Sequence, residues 1–152
     1  MDKIMIIDDE ESILKSLQRS LRNKEDWEVE VYSSPEQALR RLQTSIFDVV
    51  ISDCNMPGIS GLELLQELKV LQPDAVRILL TGMVNVETVI AAVNKAGAFR
   101  FIAKPWEDEE LIASIEEGLA LRRMIVENRM LAERVRDQQR ELESLKSSIS
   151  LQ

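Results

Sequence analysis

Three carboxylates and one ammonium stand where short apolar runs end. Ile4-Met5-Ile6-Ile7 leads into Asp8-Asp9, Val49-Val50-Ile51-Ser52 into Asp53, and Phe101-Ile102-Ala103 into Lys104-Pro105. Three hard oxygen donors suit Mg2+, an ion that takes few carboxylates and keeps several waters. The charges close, because three carboxylates are matched by a divalent cation and Lys104. In a neutral site of this kind, one carboxylate is free to become an acyl phosphate. Aspartate can act as nucleophile in phosphoryl transfer while the cation and the lysine take up charge on the equatorial oxygens. Thr81 closes another apolar run and is placed to hydrogen-bond one of those oxygens.

These residues can meet only if the fold gathers the ends of their strands. The carboxyl ends of a parallel sheet do so, and form the usual ligand crevice of open α/β folds. Strand-like and helix-like patterns alternate five times along the chain, which predicts an α/β fold, a doubly wound parallel sheet with helices on both faces. Strands are expected at 3–7, 28–32, 48–52, 75–80 and 100–103. The second alternates as an edge strand does, and the third is apolar on both faces as a central strand is. Helices are expected through Ile13, Leu14, Leu17 and Leu21, then from a Ser34 cap with Pro35 in the first turn. A third should run over 61–71. A fourth, carrying Val89, Ile90 and Val93, is capped by Asn85 and ended by Gly97. A last helix starts near Glu107, with acids favourable to its dipole.

That last helix has no glycine or proline after Gly118. From Leu121 it acquires a seven-residue repeat. One row reads Leu121, Asn128, Val135, Leu142 and Ile149, and the other Met124, Leu131, Gln138 and Leu145. The heptads predict a coiled-coil extension, and Asn128 is the polar insertion that favours a single register and a dimer. We expect a globular domain over residues 1–119, a helical extension over 120–152, and a parallel homodimer through residues 121–149. Glu141 and Lys146 are spaced as an interchain pair.

Composition narrows the remaining classes. The 152 residues are 45% hydrophobic and 30% charged, with a net charge of −8, one cysteine and no histidine. No apolar run approaches a membrane span, and the N-terminus carries no signal pattern. A reducing, cytoplasmic setting is expected, with no membrane and no direct nucleic-acid partner. Cys54 reads as a small packing residue. The lack of histidine removes it as base, shuttle or phosphoacceptor. Dinucleotide binding is disfavoured because no glycine-rich turn follows the first strand.

The motifs Ile6-Ile7-Asp8-Asp9-Glu10, Asp53-Cys54-Asn55-Met56-Pro57-Gly58, Leu80-Thr81-Gly82 and Phe101-Ile102-Ala103-Lys104-Pro105, in this order, resemble those of response-regulator receiver domains of two-component signalling. The resemblance covers residues 1–119. It implies a flavodoxin-like sheet in the order 2-1-3-4-5, and a switch that catalyses only its own aspartyl phosphorylation and dephosphorylation. Asp53 would be the phosphoacceptor, with Asp8, Asp9, Asp53 and the Asn55 backbone carbonyl around Mg2+. Thr81 and Lys104 would hold the phosphoryl group, Thr81 and Phe101 would form the switch pair, and Lys104-Pro105 would be a cis peptide. A partner histidine kinase or phosphotransfer protein would supply the phosphoryl group. Neither Met83 nor Asn55, which would flank the path of the hydrolytic water, is acidic, so a long-lived adduct is expected. The Lys104-Pro105-Trp106 stretch resembles receivers attached to metal-dependent phosphohydrolase (HD-GYP) or hydrogenase-type transcriptional outputs. Two rival classes use similar residues: a haloacid-dehalogenase-like phosphotransferase, whose Asp-any-Asp pattern Glu10 breaks, and a degenerate scaffold, which would have lost an acid or the lysine.

Overall fold

The computed structural model describes residues 1–82 and 85–150. Five strands alternate with helices: β1 (Asp2–Ile7), α1 (Glu11–Ser20), β2 (Trp27–Tyr32), α2 (Pro35–Thr44), β3 (Val49–Asp53), α3 (Gly61–Leu71), β4 (Val76–Thr81), α4 (Val86–Ala91), β5 (Arg100–Ala103) and α5 (Asp108–Ser150). The sheet is parallel throughout and ordered β2-β1-β3-β4-β5. This is the doubly wound α/β architecture that the alternating pattern predicts.

Period-two alternation sends neighbouring side chains of each strand to opposite faces. Ile4, Ile6, Val49, Ile51, Ile78 and Leu80 pack with Leu14 and Leu17 of α1 and with Leu111, Ile115 and Leu119 of α5. Met5, Ile7, Val50 and Leu79 pack on the other face with Leu39, Leu64, Leu65 and Leu68 of α2 and α3. A fully buried leucine or isoleucine such as Leu17 or Ile115 contributes about 1.5–3 kcal/mol. The two helical layers therefore fix the central strands from both sides, and with them the strand ends.

Local signals set the helix starts. Ser34 Oγ accepts from the Gln37 N–H at 3.3 Å, with Pro35 opening α2. Asn85 Oδ1 accepts from the Glu87 N–H at 2.8 Å, and Gly97, at φ 63°, ends the stretch. Between them the chain departs from a regular helix. α4 gives way to a π-helical turn over Ala92–Ala96, and Ala92 and Ala96 are the buried residues. Ile90 and Val93, at helical spacing in the sequence, are exposed. The wider turn re-phases the face, so that Ala92 and Ala96 are buried and not Ile90 or Val93.

β3 begins at Val49, one residue later than expected. Asp48 before it still bonds to both neighbouring strands, its N–H donating to the Lys3 carbonyl at 2.8 Å and its carbonyl accepting from the Val76 N–H at 2.9 Å. Its Oδ2 accepts from the Lys3 N–H at 2.7 Å, and its Oδ1 pairs with Arg122 at 2.8 Å. Leu121 packs in part against the α1/α5 core, so the exposed stripe of α5 begins at Met124. The chain comprises two compact units, residues 1–122 and 123–152. In the second, Met124, Leu131, Val135, Leu142, Leu145 and Ile149 are all exposed.

Candidate functional site

Asp8 follows β1 immediately, and its carboxylate is fully buried. The turn into α1 holds it, with the Glu10 N–H donating to Asp8 Oδ1 at 2.9 Å. Asp53 is the last residue of β3 and is almost as buried. The loop after it folds back tightly, with the Gly61 N–H donating to the Cys54 carbonyl at 3.0 Å. Any side chain at 61 would put its Cβ 1.9 Å from the Asp53 carbonyl oxygen, so glycine is required there.

Lys104 follows β5, and its backbone N–H donates to the Thr81 carbonyl at 2.8 Å. Its ammonium reaches across the sheet, with Nζ 2.8 Å from Asp8 Oδ2 and 2.9 Å from Asp53 Oδ1. Asp9, which is exposed, completes the group: Asp8, Asp9 and Asp53 each present a carboxylate oxygen, all within 4.8 Å of one another. The peptide between Lys104 and Pro105 is cis.

The electrostatics follow from this crowding. Burial pushes the Asp53 carboxyl above the usual range; the Lys104 ammonium pulls it back in part, and Asp8 and Asp9 push it further up. Burial lowers the Lys104 ammonium, but its bonds to Asp8 and Asp53 outweigh this and leave it raised. Three carboxylates against one lysine leave two negative charges uncompensated, and a divalent cation matches them. Oxygen donors this close, one of them open to solvent, are the chemistry of a hard-cation site.

Other residues singled out in the sequence also find places. Thr81 ends β4, is buried, and lies opposite Ala103. Phe101 lies opposite Leu79, on the same face as Thr81 and one row below it, and packs in part against the α2/α3 core. Asn55 is exposed in the loop after Asp53. Met83 lies outside the described residues. Cys54 is half-buried, and burial lifts its thiol above the ordinary value. Trp106 is a partly buried anchor whose indole N–H reaches Ser20 Oγ at 3.1 Å. Nothing in the local sequence marks Ser20 or Asp48, whose roles come from partners 86 and 45 residues away.

Residues 4–116 match the response regulator receiver domain. The chain belongs to that family. Receivers are the signalling switches of two-component response regulators, phosphorylated on an aspartate. The receiver is 34% identical over 121 residues to the hydrogenase transcriptional regulatory protein HoxA of Bradyrhizobium diazoefficiens, covering 80% of this chain and 24% of that protein. It thus spans about a quarter of the length of that curated relative. Among solved structures it resembles the signal receiver domain of an HD domain-containing protein from Pseudomonas fluorescens. That match has a TM-score of 0.77 and 30% identity, and covers 81% of this chain and 98% of the other. A response regulator from Burkholderia pseudomallei, solved with a phosphorylated aspartic acid, a calcium ion and citrate, aligns with a TM-score of 0.68 and 32% identity over 74% of this chain and 65% of that one.

Proposed function

We propose that Asp53 is the phosphoacceptor of this receiver, that Asp8, Asp9 and Asp53 hold Mg2+ with the Asn55 carbonyl, and that Lys104 and Thr81 hold the phosphoryl group. The observation that carries this reading is the bridge of one lysine across two buried carboxylates, with a third carboxylate beside them. An Asp53 oxygen attacks phosphorus, the bond from phosphorus to the donor nitrogen breaks, and the donor imidazole leaves with the electron pair. Lys104, already 2.9 Å from Asp53 Oδ1, offers its charge to the oxygens of the incoming group. The cation, when bound, neutralises charge on the same oxygens. The Burkholderia structure, solved with a phosphorylated aspartic acid and a calcium ion, supports an aspartyl phosphate and a divalent cation here.

With no histidine among its residues, this chain takes its phosphoryl group from an outside donor, which in this reading is a partner histidine kinase or phosphotransfer protein. Aspartyl phosphorylation and its reversal are the only chemistry this reading assigns. Phosphorylation draws Thr81 toward the phosphoryl group and lets the Phe101 ring follow, because the two share one face of β4 and β5. The signal leaves through α5. Residues 120–152 serve as a helical extension to a receiver over 1–119, and the exposed apolar rows of α5 pair two copies as a parallel coiled coil through residues 121–149. Among the described residues no helix is long and apolar enough to cross a membrane, and a net charge of −8 disfavours direct nucleic-acid contact. A cytoplasmic setting, where kinase and Mg2+ are both at hand, fits this reading. The transcriptional role of HoxA extends to this chain only as the kind of output such a receiver would control.

Intact-mass measurement after incubation with Mg2+ and acetyl phosphate tests the assignment. A single phosphoryl adduct on the wild type and none on Asp53→Asn is the expected outcome. An adduct that persists in Asp53→Asn, or one mapped to Asp8, would overturn it.

A further inference from the structure

Ser20, at the last position of α1, takes no part in the site as described, yet three elements converge on its hydroxyl. The Trp106 indole N–H donates to Ser20 Oγ at 3.1 Å, and Ser20 Oγ donates to Asp108 Oδ1 at 2.6 Å. A hydroxyl has one proton and two lone pairs, so this pair of bonds uses its donor and one acceptor site. The Ser16 carbonyl, 3.1 Å away, offers the same proton a second acceptor on α1 itself.

Trp106 stands two residues beyond Lys104, and Asp108 opens α5. The segment that carries the lysine is therefore tied at both ends. The Lys104 N–H is held by the Thr81 carbonyl on the sheet side, and Trp106 is held by Ser20 on the helix side. We propose that Ser20 is a positioning residue for phosphoryl transfer: its hydroxyl latches the Lys104 segment to α1 and to the start of α5, and so sets how far the ammonium can follow its oxygen partner. The proposal rests on the reading of Asp53 as phosphoacceptor. When Asp53 becomes an acyl phosphate, the ammonium must reach further out to meet the phosphoryl oxygens. Apolar packing already holds the partly buried Trp106 ring against the α1/α5 core. The hydrogen bond adds the rotational setting of the ring, and through it the path of the backbone back to Lys104.

The full-length chain with Ser20→Ala or Ser20→Thr tests the latch, using acetyl phosphate as donor and Mg2+ as the varied ligand. Ser20→Ala should shift one of the two indole N–H resonances. It should also lower the maximal phosphorylation rate about fivefold, the equivalent of one hydrogen bond of roughly 1 kcal/mol. The Mg2+ concentration for half-maximal rate should not change, because the carboxylates are untouched. Ser20→Thr should restore the rate. An unchanged rate in Ser20→Ala, with the indole resonance shifted, overturns the latch. So does a rate that falls together with Mg2+ affinity and urea stability, since that is the mark of general loosening. A wild-type chain that takes up no phosphoryl group overturns the assignment of Asp53, which is a separate failure.

Discussion

At the scale of single residues, the site is a place where two acids are buried against their own preference. Asp8 and Asp53 both lose water and share Lys104, whose ammonium answers only part of the cost at Asp53. Because burial raises the Asp53 carboxyl in the folded state, its ionisation opposes folding wherever the pH lies above the unfolded carboxylate range. Without Mg2+, Asp53→Asn should therefore be more stable than the wild type at pH 7. The advantage should begin to shrink as the pH falls below the raised folded value and vanish only below the unfolded carboxylate range, where the carboxyl is protonated in both states. Urea titrations at a series of pH values measure this, and an advantage that grows toward acid would contradict it. Mg2+ should stabilise the wild type more than Asp53→Asn, since a ligand that binds only the folded site adds stability in proportion to its affinity. Thermal melts with and without the ion read the difference. These acids were legible in the sequence because each terminates an apolar run. The Glu10 N–H that holds Asp8 was not, because a backbone donor leaves no mark in residue type.

At the scale of elements, propensity and periodicity located the strands and helices of the described residues, with strand ends off by a residue and a larger error where a turn widened. Asp48, expected as the first residue of a central strand, falls just outside β3 although its backbone still bonds to both neighbouring strands. Val89, Ile90 and Val93 have the spacing of a helix face, yet the π-helical turn buries Ala92 and Ala96 in their place. Hydrophobic spacing assumes 3.6 residues per turn and is blind to a local widening. Gly61 shows the reverse case, a residue whose need comes from one close contact. Gly61→Ala would drive a methyl into the Asp53 carbonyl, and we expect a loss of about 3 kcal/mol or more in urea unfolding, at the upper end for overpacking. Ser34→Ala should cost about 1 kcal/mol, the ordinary worth of an N-cap, and leave phosphorylation unchanged. The same melts report both.

At the scale of the whole molecule, the heptad rows and the globular core draw on one helix. Leu121 belongs to both patterns in the sequence, and the structure assigns it in part to the core. The apolar rows from Met124 to Ile149 remain exposed, which is the surface a second copy would cover. Val135→Glu combined with Leu142→Glu should turn a dimer into a monomer in sedimentation velocity, with the far-ultraviolet signal of the first 122 residues preserved. An unchanged dimer would show that another surface holds the copies together. The lysine bridge carries a final consequence, for how the chain is made. Its ammonium joins the first, third and fifth strands, across 96 residues to Asp8 and 51 to Asp53. A ribosome must release most of the globular unit before the two acids gain their counter-charge. A nascent or truncated chain that ends before residue 104 carries every acid of the pocket and none of its compensation. If Asp53 is the phosphoacceptor, competence to receive a phosphoryl group should therefore arrive only once Lys104 has joined the fold.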